Sequence, residues 1–226
     1  MRLLLFLVYF LLTGCCENKA VHVQEMNGID ISHFQGLVDW NQLQDQSIQF
    51  VIIKASQGNH YIDKHYQSNW KKSQSTTLWR GAYHYLDPEY SGISQALHFI
   101  KTTQGNFGEF APVVDLEAFE DKKVEDVIGV LAEYLAIIEQ KTGCLAIIYT
   151  SPNFWRQLDD HDYGRHALWL ADYAEKPQIP NGWKTWSMWQ YTNKGKIQGI
   201  NGLIDKSKLH YSGTPKKPIF CDKRNG

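Results

Sequence analysis

Cysteine is scarce, at 4 residues in 226, and two of the four, Cys15 and Cys16, sit side by side behind an apolar N-terminus. None of the spacings matches a zinc or iron–sulfur ligand set, so neither a metal nor a cofactor is expected. An excess of one charge is also missing. The 23 Lys and Arg against 24 Asp and Glu leave a formal net charge of −1, which removes the electrostatic ground for nucleic acid as a partner. There is no Gly-x-Ser-x-Gly elbow to present a serine nucleophile, no internal repeat and no low-complexity region. His33, His60, His65, His98, His161, His166 and His210 have no nucleophile to serve, and His84, in the middle of an apolar strand, reads as a hydrogen-bonded core residue.

What the chain does have begins with its first twenty residues. Arg2 precedes the apolar run Leu3 to Leu12, which has the length of a signal peptide and is too short for a comfortable membrane span. The run ends in Leu12-Thr13-Gly14-Cys15, which resembles a bacterial lipobox with Cys15 as the lipidated residue; ordinary signal cleavage is the alternative, and both export the protein. Residues 1–20 are therefore read as a signal, 21–27 as a linker, 28–210 as the domain and 211–226 as a tail. In an oxidising compartment Cys144 and Cys221 become the remaining pair, either bonded or two free thiols.

Along the domain, strand and helix patterns alternate. Gly28–Ser32, Phe50–Lys54, Arg80–Tyr85, Ala111–Glu117, Leu145–Tyr149, Ala167–Ala171, Trp186–Tyr191 and Ile200–Ile204 read as eight strands. Val38–Gln46, Asp63–Ser73, Ser91–Thr102 and Val124–Gln140 read as helices, the last with an apolar stripe at spacings of three and four. Helices become scarce after the fifth strand, and the chain from Lys206 looks tail-like. The expected fold is α/β: a (β/α)-barrel, TIM-barrel-like, with reduced helices in its C-terminal part.

In such a barrel, chemistry gathers at the C-terminal ends of the strands. Asp30 closes the first strand, Asp115 and Glu117 the fourth, and Asp205 the last. Strand alternation puts Asp115 and Glu117 on one face, ~6–7 Å apart at Cα, with Leu116 on the other. Burying two carboxylates behind Val113-Val114 is costly and calls for a reason. Glycoside hydrolysis supplies one: Glu117 protonated to assist the leaving oxygen, Asp115 ionised to support the anomeric carbon. A divalent cation held by the acids is the competing chemistry. Among the 8 Trp and 12 Tyr, most are expected in the core and some along a sugar groove.

Taken together, Gly28-Ile29-Asp30-Ile31-Ser32, Phe50 to Gly58, Arg80 to Tyr85, Pro112 to Glu117, Leu168-Trp169-Leu170-Ala171, and Trp189-Gln190-Tyr191 followed by Gly199-Ile200 and Asp205 resemble glycoside hydrolase family 25, the Chalaropsis-type lysozymes or N-acetylmuramidases. The resemblance runs from Gly28 to about Leu209. It implies cleavage of the β-1,4 bond between N-acetylmuramic acid and N-acetylglucosamine in bacterial peptidoglycan. Within it Glu117 corresponds to the general acid, Asp115 to the stabilising carboxylate, and Asp30 and Asp205 to supporting acids; the nucleophile, a carboxylate or the substrate's acetamido group, stays open. Lys54, Tyr83, Tyr85, Tyr149, Trp169 and Gln190 correspond to substrate-binding residues. The sequence departs from the family in two places: Asp205-Lys206-Ser207 stands where Asp-x-Asn is usual, and Ser56-Gln57-Gly58 where Thr-Glu-Gly is frequent. The expected protein is a monomer, anchored to the membrane by lipid and facing the periplasm or cell exterior, with peptidoglycan as its partner. The rival readings are a chitin-type endo-glycosidase, a non-catalytic glycan-binding lipoprotein, and an effector directed at competitors' walls.

Overall fold

The computed structural model describes residues 24–43, 47–117, 121–158, 162–211 and 219–221. The signal, Cys15 and most of the C-terminal tail lie outside these residues. The elements, in chain order, are β1 (Gln24–Ile31), α1 (Trp40–Leu43), β2 (Phe50–Gln57), β3 (Tyr61–Ile62), α2 (Tyr66–Ser73), β4 (Trp79–Tyr85), α3 (Gly92–Thr103), β5 (Val113–Asp115), α4 (Val124–Thr142), β6 (Ile147–Thr150), α5 (Pro152–Trp155), β7 (Leu168–Ala171), β8 (Met188–Gly195) and β9 (Ile204–Tyr211).

Eight strands close into a barrel in the order β1-β9-β8-β7-β6-β5-β4-β2, sealed by the β1–β2 pairing, while β3 forms a hairpin with β2 outside the ring. The expected barrel is present with a change at its seam. From β1 through β8 every neighbouring pair in chain order around the ring is parallel, but β9 runs antiparallel to both β8 and β1. Only residues 196–203 separate β8 from β9, and a parallel return needs about a dozen or more. The sequence reading of Ile200–Ile204 as the last strand, with Asp205 at its end, is thus corrected. The strand starts at Ile204, Asp205 is near its beginning, and Lys206 to Tyr211 belong to the barrel wall. At the other seam, β1 begins at Gln24, inside the stretch read as linker, because Met26 is buried in the barrel core.

Alternation along the strands splits the core in two. Phe50, Ile52, Val113, Ile147, Trp169, Met188 and Leu209 belong to one cluster, inside the barrel. Val51, Ile53, Ala82, Val114, Leu116 and Ile148 belong to another, shared with the helices. The stripe of α4 contributes Val127, Leu131, Tyr134 and Ile138 to this outer layer, and the helix ends at Gly143, whose φ of 70° is left-handed. Helix α3 is capped by Ser91, whose Oγ accepts from the Ser94 N–H at 3.2 Å. Helix α1 starts later than expected, after Asp39, whose Oδ1 accepts from the Asn41 and Gln42 N–H groups; residues 44–46, the expected last part of the helix, lie outside those described. Helix α2 starts at Tyr66 and not at Asp63, because the buried Asp63 carboxylate is engaged by the N–H groups of His33 and His65.

At the end opposite the strand C-termini, Ile219 closes the barrel floor. Its carbonyl accepts from Ala111 N–H at 2.9 Å, Phe220 packs on Trp79 and Phe110, and Cys221 is bonded to Cys144 with a Cα separation of 5.3 Å. Of the two states open for this pair, the structure has the disulfide.

Candidate active site

The barrel's inward positions change from apolar to polar on approaching the C-terminal ends of the parallel strands. On β2 the sequence Phe50, Ile52, Lys54 makes this change; on β5 it is Val113, then Asp115, then Glu117 just beyond the strand. The antiparallel β9 delivers Asp205 to the same end from the other direction, where it pairs in register with Asp30. The result is a cavity of about 300 Å³ lined by Asp30, Asp115, Glu117 and Asp205, with Lys54, Tyr83, Tyr85, Tyr149, Trp169 and Gln190 around them. Every catalytic and substrate-binding residue proposed from sequence therefore lines one cavity, while the proposed lipidation site Cys15 lies outside the described residues. Among the described residues no three His, Cys, Asp or Glu side chains are grouped so as to hold a metal ion.

Gln190 is the hub of one wall. Its Oε1 accepts from the hydroxyls of Tyr149 at 3.1 Å and Tyr173 at 2.9 Å, and its Nε2 donates to Asp30 Oδ2 at 3.0 Å. With both ends engaged, the amide cannot flip without losing bonds. Tyr149 meets the Trp169 ring edge-on at 4.9 Å, and the Trp169 indole N–H donates to Ser207 Oγ at 3.0 Å. Ser207, at the place of the family's usual Asn, thus orients an aromatic wall of the cavity. Across the mouth, the buried Lys54 ammonium donates to Gln57 Oε1 at 2.9 Å and lies 4.8 Å from the Tyr85 ring centre.

Burial raises the pKa of all four acids, with different secondary causes. Asp115, only 8% exposed, is raised well above the usual carboxylate range by desolvation and then by Glu117, with Lys54 opposing. Its Oδ1 has no hydrogen-bond partner among the described residues. Asp30 is likewise raised well above its usual range, by burial and by Asp205 facing it, with the Gln190 bond opposing. Glu117 and Asp205 are raised mainly by desolvation. Glu117 keeps its side chain open to solvent, although protein surrounds the carboxyl closely enough to disfavour its charge. Desolvation lowers Lys54, while Asp115, Asp63 and Glu117 act the other way. In the free protein burial therefore favours the neutral form of both Asp115 and Glu117. Asp115 is the deeper of the two carboxyls, and Glu117 the one open to solvent.

Six lining residues escaped the sequence reading: Ile31, Ser32, Phe34, Gln35, Tyr173 and Asn193. Tyr173, 51% exposed, follows the end of β7; Phe34, 80% exposed, lies in the loop after β1; Asn193 lies on β8. Tyr173 had a usable signal, an aromatic just past a barrel strand's C-terminal end. Phe34 and Asn193 had none. His84, read as a core residue, is buried behind the site, with Nδ1 2.9 Å from Ser56 Oγ and Nε2 3.2 Å from Gln95 Oε1, and burial lowers its pKa to about 3.

A barrel mouth carrying four carboxylates of unequal environment, walled by aromatic rings and by amide and hydroxyl groups, has the build of a glycoside hydrolase. The comparisons with known proteins give the same class a name. The chain belongs to glycosyl hydrolases family 25, whose model matches residues 29–200. It is 31% identical over 185 residues to protein YegX of Escherichia coli K12, covering 80% of this chain and 68% of that one. It is 28% identical over 204 residues to Lysozyme M1 of Streptomyces globisporus, covering 83% and 68%. In three dimensions it is similar to the bacterial lysozyme from Streptomyces coelicolor, with a TM-score of 0.75 and 27% identity over 83% of this chain and 93% of that one.

Proposed function

We propose that the chain is an exported lysozyme that cleaves the β-1,4 bond between N-acetylmuramic acid and N-acetylglucosamine of bacterial peptidoglycan. The observation that carries this reading is the gathering of Asp115, Glu117, Asp30 and Asp205 around one aromatic-walled cavity. The Streptomyces globisporus lysozyme among its relatives supports peptidoglycan as the substrate.

Glu117 is the general acid. Its raised pKa keeps a proton available, and its openness to solvent suits the side from which a leaving group departs and water enters. Asp115 is the stabilising carboxylate. In the free protein burial favours its neutral form, and Lys54 together with positive charge developing at the anomeric carbon favours its ionised form. Its buried Oδ1 is available to a substrate N–H. Asp30, held by Gln190, and Asp205 support the pair from the cavity floor. Tyr83, Tyr85, Tyr149, Trp169 and Lys54 bind the sugar. Lipid attached at Cys15 holds the protein at the membrane.

Digestion of purified peptidoglycan and of chitin oligomers, followed by reduction and mass analysis of the new ends, tests the reading. Reduced muramic acid at the new ends and intact chitin are expected. New glucosamine ends, or efficient chitin cleavage, would overturn it. Glu117→Gln is expected to lower turnover by about 10²–10⁴-fold; retention of more than about a tenth of the activity removes Glu117 as the acid.

A further inference from the structure

A separate cavity of about 460 Å³ opens beside the reaction cavity, between the loop after β1, the β2–β3 hairpin and the loop after β4. Gln57, Gly58, His60, Tyr61, Asp87 and Tyr90 line it. We propose that it is a distal sugar subsite, which takes an N-acetylhexosamine unit of the same glycan strand beyond the units held in the reaction cavity; the inference rests on the lysozyme reading above.

Position is the first argument. In the barrel ring β2 and β4 stand opposite β7 and β8. Tyr173 and Asn193, on the β7 and β8 side, line the reaction cavity at one rim. A linear polymer entering there and crossing the mouth leaves it on the β2 and β4 side, where this cavity lies. One hydrogen bond joins the two spaces: Lys54 of the reaction cavity donates to Gln57 Oε1, and Gln57 lines the distal one.

Chemistry is the second. His60 and Tyr90 meet edge-to-face at 5.5 Å, giving apolar ring surface for the C–H face of a pyranose. Gly58 has φ +55°, and a Cβ there would come within 3.2 Å of the Tyr90 ring and 3.6 Å of Asp87 Oδ2, so its missing side chain leaves the floor open. Asp87 is held in place by Gln95, which accepts from its N–H and donates to its carbonyl, and its Oδ1 accepts from Glu89 N–H. The bonds that fix these side chains use Asp87 Oδ1 and Gln57 Oε1, so the second carboxylate oxygen and the amide N–H offer an acceptor and a donor to the cavity, beside the His60 ring and the Tyr90 hydroxyl. No Lys or Arg lines it, and His33 is committed to Asp63 at 2.8 Å. Rings, a carboxylate acceptor and an amide donor match a neutral sugar with hydroxyl and acetamido groups, and do not match an anion.

The test compares peptide-free glycan strands of fractionated length with the shortest oligomer the enzyme cleaves, using wild type, His60→Ala and Asp87→Asn. Asn keeps the Oδ1 acceptor, so the loop fold is retained, and matching melting curves verify this. KM for long strands should rise by about tenfold, as expected for loss of a hydrogen bond to a charged group. KM for the shortest oligomer should move by less than about twofold. Equal losses on both substrates, or an unchanged long-strand KM, overturn the subsite while the lysozyme reading stands. A wild-type protein that cleaves neither substrate overturns both.

Discussion

Asp115 and Glu117 carry the same functional group two positions apart on one chain, yet their surroundings differ. Asp115 lies at the cavity floor with one oxygen unpartnered, while Glu117 meets solvent. An acid whose pKa is raised on folding holds its proton in the native state over a window in which the unfolded chain has lost it. Stability therefore falls as pH rises from the ordinary carboxylate pKa toward the raised one. Asp115→Asn removes that cost. The variant is expected to be inactive or nearly so and to melt a few degrees above wild type at pH 7, at about 2–4 °C per kcal/mol for a chain of this size. The gain should vanish below the usual carboxylate range, near pH 3, where both forms are neutral. Melting curves from pH 3 to 8 check this; a variant that melts lower than wild type at neutral pH would show that the Asp115 charge is satisfied in the folded state.

At the scale of elements, the barrel seam depends on close approach. A Cβ at Gly28 on β1 would fall 2.3 Å from the Phe50 ring of β2, a position paired with it in register. The ring of Phe50 occupies the space a side chain at residue 28 would need, inside the barrel and below Asp30. Gly28→Ala must push Phe50 aside in a packed core, which costs about 1–3 kcal/mol. The melting temperature should fall by several degrees, on the order of 2–4 °C per kcal/mol. The compensating change Phe50→Leu in the same chain should recover part of the loss; a Gly28→Ala variant as stable as wild type would contradict the packing described. The antiparallel β9 closes the other side of the seam and places Asp205 across from Asp30.

For the whole molecule, the two barrel ends are divided between stability and chemistry. The mouth holds buried acids whose ionisation opposes folding, and the floor is closed by Ile219, Phe220 and the Cys144–Cys221 bond, which joins residues 77 apart in the sequence. Removing such a bond typically costs about 2–5 kcal/mol. Reduction is expected to lower the melting temperature by roughly 5–15 °C while activity at 25 °C persists, because the site is at the other end. Parallel melting and activity measurements with and without reductant decide this; an immediate loss of activity at 25 °C would tie the floor to the mouth. Cys15→Ser, at the lipobox-like Leu12-Thr13-Gly14-Cys15, should release the protein from the membrane fraction or leave the precursor uncleaved. Fractionation identical to wild type would favour ordinary signal cleavage.

How much of this was readable in the chain follows from the range of the forces involved. The parallel strands, α4 and the placing of Asp30, Asp115 and Glu117 at strand ends are local: apolar runs, a stripe at helical spacing and strand alternation act within a few residues, and the sequence carries them whole. Lys54, Tyr83, Tyr149, Trp169 and Gln190 were legible through the family resemblance, since any one of them alone reads as core. The direction of β9 was not legible, because it depends on whether residues 196–203 can reach back across the barrel, a property of the closed ring. Tyr173, Phe34 and Asn193 are lining residues only because separate strand ends converge on one space. The contrast between the surroundings of Asp115 and Glu117 was also beyond the sequence. It is set by how closely protein surrounds each carboxyl, which is decided when the barrel closes.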